Sequence, residues 1–257
     1  MKETEGDQPG GWNNLGFRAF KQVRRPDPAL FAKLVEYSSC DLSDVMYKSH
    51  TMVGLRPAYQ PMKRVAGPAI TVSVPSGALN TIKYAAQLVE PGDVLVVSAQ
   101  GDTSYALWGG NVSRGLQARG AAALVLDGAV RDVPEIRELD FPVHARGFAT
   151  AFREHAVARG EVNVPVACGG IVVNPGDIVL CDEDGIVAIP PLALESVLAR
   201  VKALKERLDS IQPVLLRGEV TMIDQITKEL RDWGLIELDE TYESSIGPIT
   251  SKLERRS

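Results

Sequence analysis

The chain has 257 residues, of which 45% are hydrophobic and 24% are charged, and its formal net charge at pH 7 is −5. This length and apolar content suit one large domain, or one domain with extensions. Because both signs of charge are mixed and acidic residues outnumber basic ones, the composition gives no indication of nucleic-acid binding. No apolar run approaches the roughly 18 residues that a membrane helix requires, so we expect no membrane partner.

The cysteines bear on the compartment. Cys40, Cys168 and Cys181 are far apart in the sequence and form no Cys-x-x-Cys pair. An odd count and the lack of a secretory signal favour reduced thiols in the cytoplasm. We therefore expect a cytoplasmic protein in which each cysteine is a small buried hydrophobic residue.

The first half of the chain predicts an alternation of helices and strands. Residues 1–27 are a polar lead in which Trp12 and Phe17 favour docking over full disorder. From Pro28 an apolar pattern predicts a helix with proline at its start, and 41–44 supply caps for a second short helix. The order that follows is strand 69–74, helix 76–89, strand 94–99, helix 111–119, strand 121–126, helix 133–139 and strand 141–144. Because several of these strands are apolar throughout, the order indicates an α/β core with parallel pairs.

The character of the sequence changes after residue 160. Short strands are predicted at 171–173, 178–181 and 186–189, and the turns between them, 174–177 and 182–185, have hairpin composition. An amphipathic helix at 192–208 and a second helix at 222–233 follow. We divide the chain into a lead (1–27), an α/β domain (28–208) and a C-terminal helical appendage (209–257).

A candidate site lies at two predicted turns. Gly109 and Gly110 precede a predicted helix, where free backbone N–H groups attract an anion. Arg131 offers a planar fork for a carboxylate. Asp132 offers hard oxygen ligands for Mg²⁺ or Mn²⁺. Together these groups could hold a 2-oxo acid on a divalent metal.

Both turns also have a purely structural interpretation. Asp132 fits the N-cap of the next helix, with Glu135 as its partner in a capping box and Pro134 in the first turn. Arg131 would then be a surface charge. The glycines and Asn111 equally fit a tight strand-to-helix connection. Capping and metal binding compete for the same carboxylate oxygens, so a structure separates them.

Short motifs in a fixed order carry a family resemblance. They are Asp41-Leu-Ser-Asp44, Gly67-Pro-Ala-Ile-Thr71, Pro91-Gly-Asp-Val-Leu-Val-Val97, Trp108-Gly-Gly, Arg119-Gly-Ala, Asp127-Gly-Ala-Val-Arg-Asp132, Phe141-Pro-Val, Cys168-Gly-Gly-Ile, Pro175-Gly-Asp-Ile-Val179 and Asp182-x-x-Gly185. From residue 41 to about 208 the chain resembles the RraA-like family. That family contains 4-hydroxy-4-methyl-2-oxoglutarate/4-carboxy-4-hydroxy-2-oxoadipate aldolases, oxaloacetate decarboxylases and regulators of ribonuclease activity A.

The resemblance implies a fold, an assembly and a site. The fold would be an αββα sandwich with a C-terminal helical extension, assembled as a homotrimer or hexamer with active sites between subunits. Arg131 would bind the substrate carboxylate, and Asp132 would be the direct protein ligand of a divalent metal, Mg²⁺ or Mn²⁺. The backbone N–H groups of Gly109, Gly110, Asn111 and Val112 would hold the other end of the 2-oxo acid.

The resemblance also implies a reaction. It is that of a metal-dependent lyase that cleaves a short 2-oxo acid, such as 4-hydroxy-4-methyl-2-oxoglutarate or oxaloacetate, to pyruvate through a metal-stabilised enolate. Regulators of ribonuclease activity typically lack an Asp after this Arg, so Asp132 favours the lyase over a non-catalytic trimeric regulator. Many of the aldolases have an acid where this chain has Gly110, and this departure concerns the aldol step most. A methyltransferase reading has no support, because no glycine-rich nucleotide loop is present.

Overall fold

The computed structural model describes residues 14–75, 77–152, 159–219 and 222–242. These residues fall into two compact units that divide between Lys205 and Glu206. The α-helices are α1 (Pro28–Phe31), α2 (Ser39–Val45), α3 (Leu79–Ala86), α4 (Gly110–Ala118), α5 (Val133–Glu138), α6 (Leu194–Leu216) and α7 (Ile223–Asp232). The strands are β1 (Arg18–Ala19), β2 (Thr51–Met52), β3 (Arg56–Pro57), β4 (Val65–Ser73), β5 (Val94–Ser98), β6 (Ala106–Trp108), β7 (Ala123–Val130), β8 (Val143–Phe148), β9 (Glu161–Val162), β10 (Val166–Cys168), β11 (Ile171–Val173), β12 (Ile178–Cys181) and β13 (Ile186–Ile189).

The described part of the first unit contains a curled 11-stranded sheet and a two-stranded sheet of β10 and β11. The main strand order of the large sheet is β2-β13-β12-β4-β5-β7-β8-β3. The predicted parallel pairs are present, because β4 pairs in parallel with β5, β5 with β7 and β7 with β8. Strand β12 joins β4 in the antiparallel direction. The short strand β6, which the sequence analysis did not predict, pairs in parallel with the last residues of β7. Strand β6 therefore lies beside the carboxyl-terminal end of β7, whereas β5 lies beside the earlier residues of the same strand.

Three clusters of buried apolar side chains separate the layers of this unit. One lies between helices α3, α4 and α5 and one face of β4, β5, β7 and β8. The second lies between that part of the sheet and strands β10 to β13. The third packs α1, α2 and the start of α6 onto the other face of β12 and β13. Side chains along each strand alternate between two clusters, as the two-residue period of a strand requires. The layer order confirms the predicted αββα sandwich.

One strand and one turn differ from the prediction. The strand predicted at 121–126 extends further, because residues 127–130 are the second half of β7 and are all buried. Asp127 can lie there because its carboxylate accepts hydrogen bonds from Arg146 Nε and from the Gly169 N–H. The hairpin predicted at 182–185 is present between β12 and β13. The hairpin predicted at 174–177 is wrong, because β11 pairs with β10 and β12 pairs with β4 in different layers.

The lead contacts the rest of the first unit from Phe17 onwards, whereas Trp12 lies outside the described residues. Strand β1 pairs in parallel with β9. Arg25 donates two hydrogen bonds to the carboxylate of Asp93, at 2.9 and 2.8 Å. Phe17 is exposed, with the Arg159 guanidinium 5.7 Å from its ring centroid.

The cysteine prediction holds in two of three positions. Cys168 and Cys181 are buried, and burial raises the pKa of each thiol. Cys40 is exposed, contrary to expectation, because α2 turns its neighbours Ser39 and Leu42 towards the protein instead. In the described part of the chain no helix is both long enough and apolar enough to cross a membrane.

Candidate active site

Two strand-to-helix junctions meet at the carboxyl ends of β6 and β7. Strand β6 leads through Gly109 into α4, and β7 leads through Arg131 and Asp132 into α5. The junctions are held together because the Arg131 N–H donates to the Trp108 carbonyl at 3.0 Å. The carboxyl ends of parallel strands are where ligands bind in open α/β sheets. The fold therefore brings the predicted glycine turn and the predicted Arg-Asp pair to one place.

Asp132 lies at the N-cap position of α5, but its side chain makes no capping hydrogen bond. Its backbone is left-handed, with φ 59° and ψ 39°, a conformation that Asp and Asn adopt more readily than most residues. This turns the carboxylate towards α4, where Oδ2 accepts a hydrogen bond from the Gly110 N–H at 3.1 Å. The capping-box interpretation is thereby contradicted.

Arg131 is half exposed and lies against two groups. Its Nε is 3.5 Å from Asp132 Oδ2, and its guanidinium carbon is 5.0 Å from the ring centroid of Phe152. Stacking on an aromatic ring orients the planar guanidinium without using its N–H donors. Arg131 thus retains donors for a bound carboxylate.

Positions 109 and 110 require glycine because carboxylates of α5 and its N-cap approach their backbone closely. A Cβ on Gly109 would overlap Asp132 Oδ2, and a Cβ on Gly110 would overlap Glu135 Oε2. Hydrogen bonding along α4 begins with the Ser113 N–H, which donates to the Gly109 carbonyl. The earlier N–H groups therefore precede the helical ladder, as at any helix start. That of Gly110 is used by Asp132, while those of Asn111 and Val112 lie in the first turn of the same helix.

Two cavities flank the Arg131–Asp132 pair. The larger, of about 420 Å³, is lined by Val130, Arg131, Asp132, Val133, Phe148, Ala149 and Thr150. The smaller, of about 60 Å³, is lined by Leu79, Leu107, Trp108, Gly109, Asn111, Arg131, Asp132 and Phe152. The larger volume is within the range that small-molecule sites occupy. Both cavities share the guanidinium and the carboxylate.

The donor set of the site suits a hard divalent cation. In the described ranges no group of three or more His, Cys, Asp or Glu side chains could hold a metal. Mg²⁺ commonly binds through one or two carboxylates and takes its other ligands from water and substrate. Asp132, whose side chain is 34% exposed, fits that mode of binding.

Sequence reasoning missed the aromatic neighbours of the pair. Phe148 and Phe152 come from the end of β8 and the loop after it, which returns beside β6 through a hydrogen bond from the Ala106 N–H to the Ala151 carbonyl at 2.8 Å. Nothing in the sequence near residue 150 signals this return. From the sequence, Glu135 is a candidate both for the capping box and for a carboxylate that orients the waters of the metal. Its position three residues after Asp132 places it on the same face of the helix.

A comparison with protein families fits this geometry. The profile of the RraA-like family, described as Aldolase/RraA, matches residues 39–188. The chain belongs to the RraA-like family. The match spans the two glycines, Arg131, Asp132 and Glu135, and it ends within β13.

Relatives of this RraA-like chain carry aldolase names. The 4-hydroxy-4-methyl-2-oxoglutarate aldolase of Thermus thermophilus is 33% identical over 157 residues, which are 61% of this chain and 94% of the relative. A protein of Halalkalibacterium halodurans that bears the same name provisionally is 39% identical over 139 residues, 54% of this chain and 66% of the relative. These names support a lyase.

Solved structures of the RraA-like family have the same fold. Streptomyces coelicolor RraAS2, titled an unusual member of the RNase ES inhibitor RraA protein family, matches with a TM-score of 0.63 and 28% identity. The alignment covers 76% of this chain and 98% of that one. The family therefore includes proteins named as enzymes and proteins named as inhibitors.

Proposed function

We propose that this chain is a divalent-metal-dependent carbon–carbon lyase that releases pyruvate from a short 2-oxo acid. The candidate substrates are 4-hydroxy-4-methyl-2-oxoglutarate and oxaloacetate. The observation that carries the proposal is the position of Asp132, whose carboxylate is turned away from α5 and held beside Arg131 at the start of α4. A carboxylate used only to cap its own helix, α5, would not adopt this arrangement.

The residues of the chain have separate tasks in this proposal. Arg131 binds the substrate carboxylate through its fork, with its orientation kept by Phe152. The N–H groups of Asn111 and Val112 hold the other end of the 2-oxo acid at the positive end of α4. Together with Arg131 they stabilise the negative charge that develops on the substrate oxygen. Asp132 would hold Mg²⁺ or Mn²⁺, which would polarise the 2-oxo group as a Lewis acid.

The proposal is tested by following pyruvate release from both substrates with Mg²⁺, with Mn²⁺ and with EDTA. We expect release well above the background of free metal ion, and its loss in EDTA. Release that is unchanged by EDTA would contradict the metal requirement. The ratio of the two rates shows whether the chain is chiefly an aldolase or chiefly a decarboxylase.

A non-catalytic regulator is the second candidate, favoured by the similarity to an RNase ES inhibitor family member. In that case the chain would bind another enzyme through the same scaffold. Release of pyruvate from neither substrate by a folded protein would favour this candidate over the lyase.

A further inference from the structure

The smaller cavity beside the Arg131–Asp132 pair has a polar side and an apolar side. The polar side consists of groups at the two strand-to-helix junctions, namely Gly109, Asn111, Arg131 and Asp132. The apolar side consists of four large side chains, those of Leu79, Leu107, Trp108 and Phe152. Because one water needs about 10–15 Å³, a cavity of about 60 Å³ holds roughly four to six non-hydrogen atoms. Pyruvate has six such atoms, so the cavity fits a three-carbon 2-oxo acid and little more.

The four apolar walls differ in how firmly the fold holds them. Leu79, Leu107 and Trp108 are at most 5% exposed, so they are part of the buried interior. Phe152 is 40% exposed and comes from the loop after β8, which a parallel bridge attaches to Ala106 in β6. Among the described lining residues, Phe152 is therefore the apolar wall that can be changed without disturbing the interior.

The chemistry of a 2-oxo acid decides which of its atoms meets this wall. In the proposed function its oxygen atoms face Arg131, the cation at Asp132 and the N–H groups at the start of α4. C3 carries no oxygen, so it lies towards the apolar side. One bond of C3 leads to C4, for which the larger cavity of about 420 Å³ has room, because it shares the Arg131–Asp132 pair. A further substituent on C3 would point at the apolar wall.

We propose that Phe152 restricts the substrate to 2-oxo acids in which C3 carries only hydrogen besides C4. The inference rests on the proposed function. It defines the substrate class by the half that is released as pyruvate, and it leaves the C4 half to vary with the larger cavity. One extra methylene in an apolar pocket changes selectivity by about 10–200-fold. The probe is therefore 2-oxobutanoate, which has one methylene more than pyruvate.

Exchange of the C3 protons with D₂O, followed by NMR, tests the wall without the C4 half. A C3–H bond breaks, its electron pair stays in the enolate, the proton passes to solvent, and a deuteron from solvent forms the new bond. With Mg²⁺, and after subtraction of the exchange caused by the free ion, the unchanged protein should exchange pyruvate at least tenfold faster than 2-oxobutanoate. Phe152→Ala should bring the two rates within threefold of each other.

The ratio of the two rates separates this role of Phe152 from its contact with Arg131. Both acids carry the same carboxylate and 2-oxo groups, so a guanidinium that has lost its orientation lowers both rates by the same factor. A Phe152→Ala protein that exchanges more slowly but keeps the ratio of the unchanged protein would show that the ring only supports Arg131. That result would overturn the inference.

Phe148→Ala is the matched control, because Phe148 is an exposed phenylalanine that lines the larger cavity and not the smaller one. This variant should keep the ratio within twofold of that of the unchanged protein. A change in the ratio as large as that in Phe152→Ala would overturn the inference, because the limit on C3 would then not belong to the smaller cavity.

Titration calorimetry of both acids on the Mg²⁺-loaded protein repeats the comparison without turnover. The Kd of 2-oxobutanoate should exceed that of pyruvate at least tenfold in the unchanged protein and less than threefold in Phe152→Ala. If the unchanged protein neither exchanges C3 protons nor releases pyruvate from either candidate substrate, the proposed function fails. If it exchanges and binds the two acids equally well, this inference alone fails.

Discussion

The backbone conformation of Asp132 determines where its side chain points. The left-handed conformation points the carboxylate across the junction rather than along its own helix. Such conformations cost of order 1–3 kcal/mol in non-glycine residues and persist where surrounding contacts determine them. Here the contact is the Gly110 N–H, which is approachable because Gly109 has no side chain. The geometry keeps a carboxylate beside a guanidinium at a helix start.

Asp132→Asn separates the charge of this residue from its conformation. Asparagine tolerates the left-handed region and retains an oxygen for the Gly110 N–H, so we expect the melting temperature to stay within about 2 °C of the unchanged protein. Mn²⁺ binding by calorimetry and metal-dependent pyruvate release should both be lost, since the amide is a poor substitute for the carboxylate. Substantial turnover in this variant would remove Asp132 from the metal site.

Asp182 is the most heavily hydrogen-bonded carboxylate outside the site among the described residues. It accepts from the Ser39 N–H at 2.9 Å, from Ser39 Oγ at 2.7 Å and from Arg64 Nε at 3.0 Å. Burial by itself would raise the pKa of this carboxyl, but the bonds from Ser39, Arg64 and Gly185 outweigh burial and lower it. The residue therefore ties the start of α2 to the β12–β13 hairpin as an anion.

The lowered pKa of Asp182 fixes the sign of its pH dependence. The stabilisation is present above the pKa of the unfolded chain, about 4, and is lost as the pH falls through the lower folded value. Asp182→Asn should reduce the free energy of unfolding at pH 7 by roughly 1.5–3 kcal/mol. Urea unfolding at pH 7 and pH 3 should show the difference from wild type shrinking in acid. The exposed neighbour Asp184→Asn is the control, and a difference that does not depend on pH would contradict this account.

At the scale of elements, the site depends on where β6 and the loop after β8 are placed. Strand β6 is only three residues long, yet its pairing with β7 sets Gly109 beside Asp132. The parallel bridge between Ala106 and Phe152 brings the aromatic ring over Arg131. Short strands of this kind have little intrinsic stability and are held by the long strand beside them. The site is therefore built on the buried strand β7.

The lead is an element of the first unit, fixed by a buried ion pair. Arg25 donates to Asp93, whose side chain is 1% exposed, so Arg25→Ala leaves a buried carboxylate without its cation. We expect a loss of roughly 1–3 kcal/mol in the free energy of unfolding, measured with urea. The adjacent exposed Arg24→Ala should change it by less than about 0.5 kcal/mol. Equal effects of the two variants would show that the lead contributes no specific contact.

At the scale of the whole molecule, the two units differ in how much they bury. The first contains all three apolar clusters, whereas no residue of α7 is buried. On the first unit, Phe148 and Phe152 remain 59% and 40% exposed at the rim of the site. Exposed aromatic side chains beside a cavity favour cover by another protein surface.

We expect the first unit to form a homotrimer, or a pair of trimers, that covers this rim. Light scattering after gel filtration should give a mass three or six times the 27.8 kDa of one chain. A chain that ends at Arg217 should keep that oligomeric state, because the assembly is attributed to the first unit. A monomer from the full chain would contradict the trimer, and a monomer from the shortened chain alone would assign assembly to the appendage.

The sequence by itself determined the parallel strands with their helices and the candidate groups of the site. The apolar runs at 94–98 and 123–126 predict strands that are buried on both faces. Such strands are typical of parallel sheets that helices cover, so the parallel strands and their helices were predictable. Arg131 and Asp132 were predictable as candidate site residues because the binding chemistry of a guanidinium or a carboxylate belongs to the side chain itself. The domain limits at 27 and 208 stay a prediction.

Only the tertiary structure decided which groups meet. Asp132 fits both a cap of α5 and a ligand in sequence, and the cap was excluded by a backbone torsion set by contacts with α4. Strand β12 follows a turn with hairpin composition, yet it pairs with β4. In that position its two faces are buried in two different apolar clusters. Phe152 reaches the site across a gap in sequence that no local pattern spans. Pairings of this kind are decided by packing, which depends on all the residues that share a space and not on any one segment.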